Sequence, residues 1–143
     1  MSELHLPDLA ATEAFAARLA TLARPGDAIL LQGPLGAGKS ALARAFLRAA
    51  CGDPALEVPS PSYTLVQSYD TRLGPVHHFD LWRLEDASSM LELGWDELQQ
   101  DIVLVEWPER LGDLTPANAL RITLSVQGDD ARIADITGWE GRL

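Results

Sequence analysis

The sequence predicts an α/β protein, and three observations predict it. The first is Gly33-Pro34-Leu35-Gly36-Ala37-Gly38-Lys39-Ser40. It follows G-x-x-x-x-G-K-[ST], the pattern of a loop that cradles phosphates between a strand and a helix. The second is Ile102-Val103-Leu104-Val105, an unbroken run of bulky apolar residues that ends in Glu106. Such a run suits a parallel strand buried on both faces. The third is the pair of strand-turn-strand stretches, one on each side of that buried strand. They predict antiparallel hairpins added to a mostly parallel central sheet.

The chain has 143 residues, which predicts a single domain spanning 1–143. A chain of this length buries about 70% of its unfolded surface and needs no covalent staple. One cysteine, Cys51, rules out an internal disulfide. It is expected to be a small buried apolar residue. The formal net charge is −10, which argues against tight binding to a nucleic-acid backbone. A protein partner suits that charge better. No apolar stretch approaches the roughly 20 residues of a membrane span, and the first residues lack a basic, apolar leader, so cytoplasm is expected.

In chain order, Ser2 to Leu6 is expected to form a short edge strand. Asp8 or Thr12 would cap the helix that follows, and Phe15, Leu19 and Leu22 recur at helical spacing as its core stripe. Arg24-Pro25-Gly26-Asp27 stops this helix. Ala28-Ile29-Leu30-Leu31-Gln32 enters the phosphate loop as a buried strand, and Ala41 to Ala50 leaves it as a helix of strong helix formers.

The loop's chemistry follows from its residue types. Gly36 and Gly38 let the backbone close around an anion. Successive N–H groups form a nest, reinforced by the positive end of the helix dipole. Lys39 reaches the β- and γ-phosphates, and the Ser40 hydroxyl can hold magnesium. Lys39 is the only lysine in the chain, beside ten arginines.

After Gly52-Asp53-Pro54, a proline-stiffened loop carries Ser60, Ser62 and Thr64. Two readings stand for it: a switch segment sensing the γ-phosphate or magnesium, and an ordinary hydroxyl-rich turn. Tyr63–Tyr69 and Val76–Trp82 are expected to form a hairpin around Asp70–Pro75. His77 and His78 are neighbours on a strand and so face opposite ways, which argues against one shared zinc ion. Asp80 lies between Phe79 and Leu81, where a carboxylate needs a partner. Arg83 is one candidate and a magnesium–phosphate site is the other. Ala87–Leu93 and Trp95–Gln100 read as short helices. Glu106, at the carboxyl end of a central strand, should face the phosphate loop, serving magnesium or the attacking water. Leu120–Val126 and Ala131–Ile136 are expected to close the chain as a hairpin, with Leu120, Ile122, Leu124 and Val126 on its apolar face. Arg132 in that hairpin is the arginine with some prospect of acting on the phosphates in cis.

Four motifs in this order resemble the bacterial TsaE (YjeE) family of small P-loop ATPases, which act in making threonylcarbamoyladenosine in tRNA. They are Gly33 to Ser40, Ser60 to Val66, His78 to Leu84 and Leu104 to Arg110. The resemblance covers nearly the whole chain. It implies a three-layer P-loop sandwich that binds ATP and Mg2+ through Leu35, Gly36, Ala37, Gly38, Lys39, Ser40 and Ala41. Ser40 and Glu106 would serve the metal, Lys39, Glu106 and Asp80 the chemistry, and Thr12 the nucleotide base. It also implies slow hydrolysis by the isolated chain, and turnover within a complex with the TsaB and TsaD proteins, with tRNA reached only through that complex. The chain departs from the usual pattern at Pro34, Ser40, Ser62, Tyr63 and Trp82. Two other functions remain in view: a small metabolite kinase, disfavoured because no arginine cluster marks a lid, and a nucleotide-dependent scaffold with dispensable turnover.

Overall fold

The computed structural model describes residues 2–61 and 63–143. Ser62, one of the loop hydroxyls discussed above, lies outside the described residues. Twelve segments follow one another: β1 Ser2–Leu6, α1 Leu9–Leu22, β2 Ala28–Gln32, α2 Lys39–Cys51, β3 Val66–Thr71, β4 Gly74–Asp80, α3 Ser89–Glu92, α4 Trp95–Leu98, β5 Ile102–Glu106, a 3-10 helix Pro108–Leu114, β6 Leu120–Gln127 and β7 Ala131–Thr137. Among the described residues the strands form one seven-stranded sheet in the order β1-β7-β6-β2-β5-β4-β3.

The centre of the sheet is parallel: β2 pairs with both β5 and β6, and β5 pairs with β4. The outer pairings, β1 with β7, β6 with β7 and β3 with β4, are antiparallel. This is the α/β sheet with hairpin additions that the sequence predicts. Alternation along β2 and β5 explains why both strands are apolar up to their last residues, Gln32 and Glu106. Ile29, Leu31, Ile102 and Leu104 face α1 and α2 in one core, which includes Phe15, Leu19, Leu42 and Phe46. Ala28, Leu30, Val103 and Val105 face the opposite core, built with Phe79, Met90 and Trp95. A strand covered on both faces has no place for a polar side chain until its end.

Local chemistry sets the element boundaries. The Asp8 carboxylate, not Thr12, caps α1 by accepting from Ala11 N at 2.9 Å. Leu22 is half-buried while Phe15 and Leu19 are buried. The first hairpin has longer arms near its turn than expected, because Thr71 pairs with Gly74 and leaves a two-residue connection. The Thr71 hydroxyl donates to Gly74 O and accepts from Leu73 N, which tightens that turn. At its other end β3 starts only at Val66, since Leu65 takes a positive φ of 67° and its N–H bonds back to Pro61 O. The α3 segment is one turn, shorter than the expected Ala87–Leu93. Asp86 accepts from Ser88 N and Ser89 N, holding the residues before it in a turn. Val126 is 52% exposed although its alternation matches the buried face. It lies beyond the end of β2, whose last pairing is Gln32 with Thr123.

Candidate functional site

The parallel register places the site. Leu31 of β2 stands beside Glu106 of β5, and Asp80 of β4 stands beside the same Glu106. The carboxyl ends of three central strands therefore converge where β2 turns into α2. In open α/β sheets this edge is the ligand edge. A cleft of about 440 Å³ opens there, bounded by Leu35, Gly36, Gly38 to Ala41, Ser60, Asp80, Trp82, Glu106, Trp107 and Arg132.

The loop needs its first glycine for a local reason. Gly33 has φ +148°, and a Cβ added to it would come within 2.5 Å of Leu124 O on β6. The β2 strand thus leaves the sheet pressed against its neighbour. Pro34 O accepts from Ala37 N at 3.1 Å, so the Ala37 amide is used inside the loop. Gly38 adopts φ 104° at the head of α2, and no side chain caps that helix among the described residues. Its first amides are free of side-chain competition and suited to an anion.

Lys39 is only 4% exposed. Its ammonium donates to Gly33 O and to Pro34 O at 2.9 Å, and sits 4.0 Å from the centre of the Trp107 ring. Burial lowers its pKa, while the charges of Glu106, Glu109 and Asp80 oppose that shift. Trp107 follows Glu106 with a left-handed φ of 59°, a conformation that costs a non-glycine residue energy and clusters at functional sites. It also packs against Trp82, with ring centres 4.5 Å apart and planes tilted by 46°.

The acids are buried, Glu106 at 2% and Asp80 at 6% exposure. The Ser40 hydroxyl donates to Glu106 Oε1 at 2.8 Å, and His78 Nε2 meets Glu106 Oε2 at 2.7 Å. Asp80 accepts from Trp82 N at 3.1 Å and from the Ser60 hydroxyl at 3.3 Å. Arg83, the sequence candidate for pairing with Asp80, has its guanidinium over the Tyr63 ring at 4.7 Å.

The structure brings Leu35, Gly36, Gly38, Lys39, Ser40, Ala41, Asp80 and Glu106 to one cleft. Ala37, within the loop, is buried in the core. Thr12 is not among the residues that bound this cleft. It lines an adjoining cavity of about 160 Å³ with Leu9, Asp129 and Asp130, and the two cavities share Gly38, Ala41 and Arg132. Two contacts escaped the sequence analysis, and Arg132, its candidate for acting on the phosphates, is held on the loop. His78 is bound to Glu106, the Trp107 ring faces Lys39, and Arg132 donates through Nε to Ala37 O at 3.1 Å. Sequence alternation put His78 on the same face as Asp80, but nothing in the sequence named its partner.

A strand, a glycine-rich loop with its lysine, and a helix, with two acids on neighbouring parallel strands, make this a P-loop nucleotide-binding fold. The comparisons narrow that class. The family described as "Threonylcarbamoyl adenosine biosynthesis protein TsaE" matches residues 6–134. Relatives carrying the name tRNA threonylcarbamoyladenosine biosynthesis protein TsaE include one from Bacillus subtilis strain 168, 37% identical over 133 residues that cover 92% of this chain and 82% of the relative. Another, from Rickettsia bellii, is 34% identical over 127 residues and covers 88% of each chain. The crystal structure of Bacillus subtilis YdiB superposes with a TM-score of 0.78 at 30% identity, covering 96% of this chain and 84% of that one. The chain belongs to the TsaE family, and with it to threonylcarbamoyladenosine biosynthesis in tRNA.

Proposed function

We propose that this chain is the ATP-binding, magnesium-dependent ATP hydrolase of that modification machinery, coupling ATP turnover to a TsaB–TsaD transferase complex. The observation that carries the reading is the convergence of Lys39, Ser40, Asp80 and Glu106 on one cleft at the mouth of the phosphate loop.

The residues fit both ligands. Two buried carboxylates on adjacent strands, with a serine hydroxyl against one of them, form a hard oxygen donor set. Such a pair of acids is costly unless a cation offsets it. Ser40 and Glu106 would hold the magnesium, which would supply charge neutralisation at the phosphates. Lys39 would exchange its carbonyl partners for β- and γ-phosphate oxygens. The amides at the head of α2 and the helix dipole would hold the same anion. Asp80 and Glu106 would orient the attacking water from the sheet edge. Trp82 and Trp107 would shield one side of the cleft from bulk water. Arg132, held on the loop carbonyls, brings a positive charge to the loop from β7. Thr12, in the adjoining cavity, would lie toward the nucleotide base.

The partner assignment is supported by family membership and by the net charge of −10, which suits docking on proteins and leaves the tRNA to them. The test is phosphate release by the purified chain, alone and with TsaB and TsaD. Slow release that quickens with the pair is expected. Glu106→Gln should retain nucleotide binding while release falls roughly hundredfold. Multiple-turnover tRNA modification by that variant at the wild-type rate would overturn the coupling and favour a scaffold.

A further inference from the structure

His78 and Glu106 are each 2% exposed, and the imidazole Nε2 lies 2.7 Å from the carboxylate Oε2. In the sheet His78 pairs with Leu104, so it reaches Glu106 diagonally across β4 and β5. The other carboxylate oxygen, Oε1, accepts the Ser40 hydroxyl at 2.8 Å. The two oxygens thus have separate partners, one facing the sheet interior and one facing the phosphate loop. An ionised carboxylate only accepts, so the imidazole carries its shared proton on Nε2. Nδ1 is buried and meets no partner among the described residues. A bare lone pair is better tolerated there than a stranded N–H.

We propose that His78 is a positioning residue for Glu106, fixing the rotation of its carboxylate so that Oε1 is presented to Ser40 and to the divalent cation. The inference rests on the assignment of that cation to Ser40 and Glu106. The terminal torsion of a glutamate is broad and close to two-fold. A hydrogen bond to one oxygen removes that freedom before any cation arrives, so less ordering remains to be done on binding. Neighbouring His77 supplies the contrast. It lies on the opposite face, with Nδ1 2.7 Å from the Ser68 hydroxyl and Nε2 2.9 Å from Asp101 Oδ2, both away from the residues that bound the cleft.

The test uses the full chain loaded with AMPPNP. Mn2+ is titrated in, and free Mn2+ is counted by electron paramagnetic resonance. His78→Leu should weaken Mn2+ binding about tenfold or more, the usual effect of losing a group that orients a metal ligand. His78→Gln retains an N–H near the Nε2 position and should recover most of the affinity. AMPPNP binding in EDTA, followed by tryptophan fluorescence, should be the same in all three proteins. His78→Phe keeps the ring volume and repeats the test if the leucine variant does not fold. A Mn2+ affinity within about twofold of wild type in the folded leucine or phenylalanine variant would overturn the proposal. So would a glutamine variant as weak as leucine, or an equal loss of AMPPNP affinity in EDTA, which would mark a purely structural role. Failure of the wild type to bind AMPPNP at all would instead remove the nucleotide reading on which the proposal stands.

Discussion

Lys39 shows what burial demands of a single side chain. A buried ammonium needs acceptors, and it finds two loop carbonyls, an aromatic face and nearby acids. The compact ammonium can exchange those partners for phosphate oxygens, whereas a planar guanidinium imposes a fork that the narrow loop does not offer. Cys51 is the opposite case, a group with no role in the cleft. It is half-buried, not buried as expected, and its thiol lies 3.7 Å from Asp70 O. Burial raises its pKa, Asp53 adds to the shift and Arg72 opposes it. A raised pKa means less thiolate at any given pH. Alkylation of this sole cysteine by iodoacetamide should therefore be slower than that of free cysteine at pH 8, and its rate should rise with pH to a midpoint above that of a simple thiol. Mass spectrometry of a single adduct measures it. A rate equal to or faster than that of free cysteine would show that burial does not govern this thiol.

At the scale of elements, the junction of β2 and α2 is the most constrained. The strand is held between β5 and β6, and the loop leaves it hard against Leu124 O. Gly33→Ala forces a methyl group onto a backbone oxygen that belongs to a central strand and cannot swing away. A loss of about 2 kcal/mol in stability is expected from that overlap, read as a drop in the urea midpoint. Unchanged stability would mean that β6 gives way more easily than its pairing implies. The same junction explains why hairpin limits were harder to read than the strand core. Apolar runs announce where a strand is buried, but its ends depend on turn hydrogen bonds such as those of Thr71 and on where a neighbouring strand stops.

Across the whole molecule, the end of the chain is tied back to its beginning. Arg142 makes a two-pronged bond to Asp27, at 2.7 Å and 3.2 Å, and lies 3.9 Å over Trp139. It also donates to Leu22 O at the end of α1. This one guanidinium joins the last residues to the turn between α1 and β2, on the side of the sheet away from the cleft. Charge-assisted bonds in a partly buried setting are individually worth about 1.5–3 kcal/mol. Arg142→Ala should lower stability by about 2 kcal/mol and the melting midpoint by several degrees, with nucleotide binding unchanged. Calorimetry and a fluorescence titration check both parts. Loss of nucleotide binding at an unchanged melting midpoint would show that the C-terminal tie acts on the cleft rather than on the fold. Among the described residues no helix is long and apolar enough to cross a membrane.

Residue order carried the fold class and the site's central parts. The glycine spacing, the single lysine and two apolar strands, one running into the loop and the other ending in Glu106, are local signals. They are local because a phosphate loop and a buried strand are each written within ten consecutive residues. Partnership between distant residues is not written that way. That His78 would hold Glu106 and that Arg132 would grip the phosphate loop both depend on strand register, while the place of Thr12 beside the cleft depends on how α1 packs on α2. Register comes from how both faces of the sheet bury their apolar residues together, and a shift of one position would turn His78 away from Glu106 and break the contact between them.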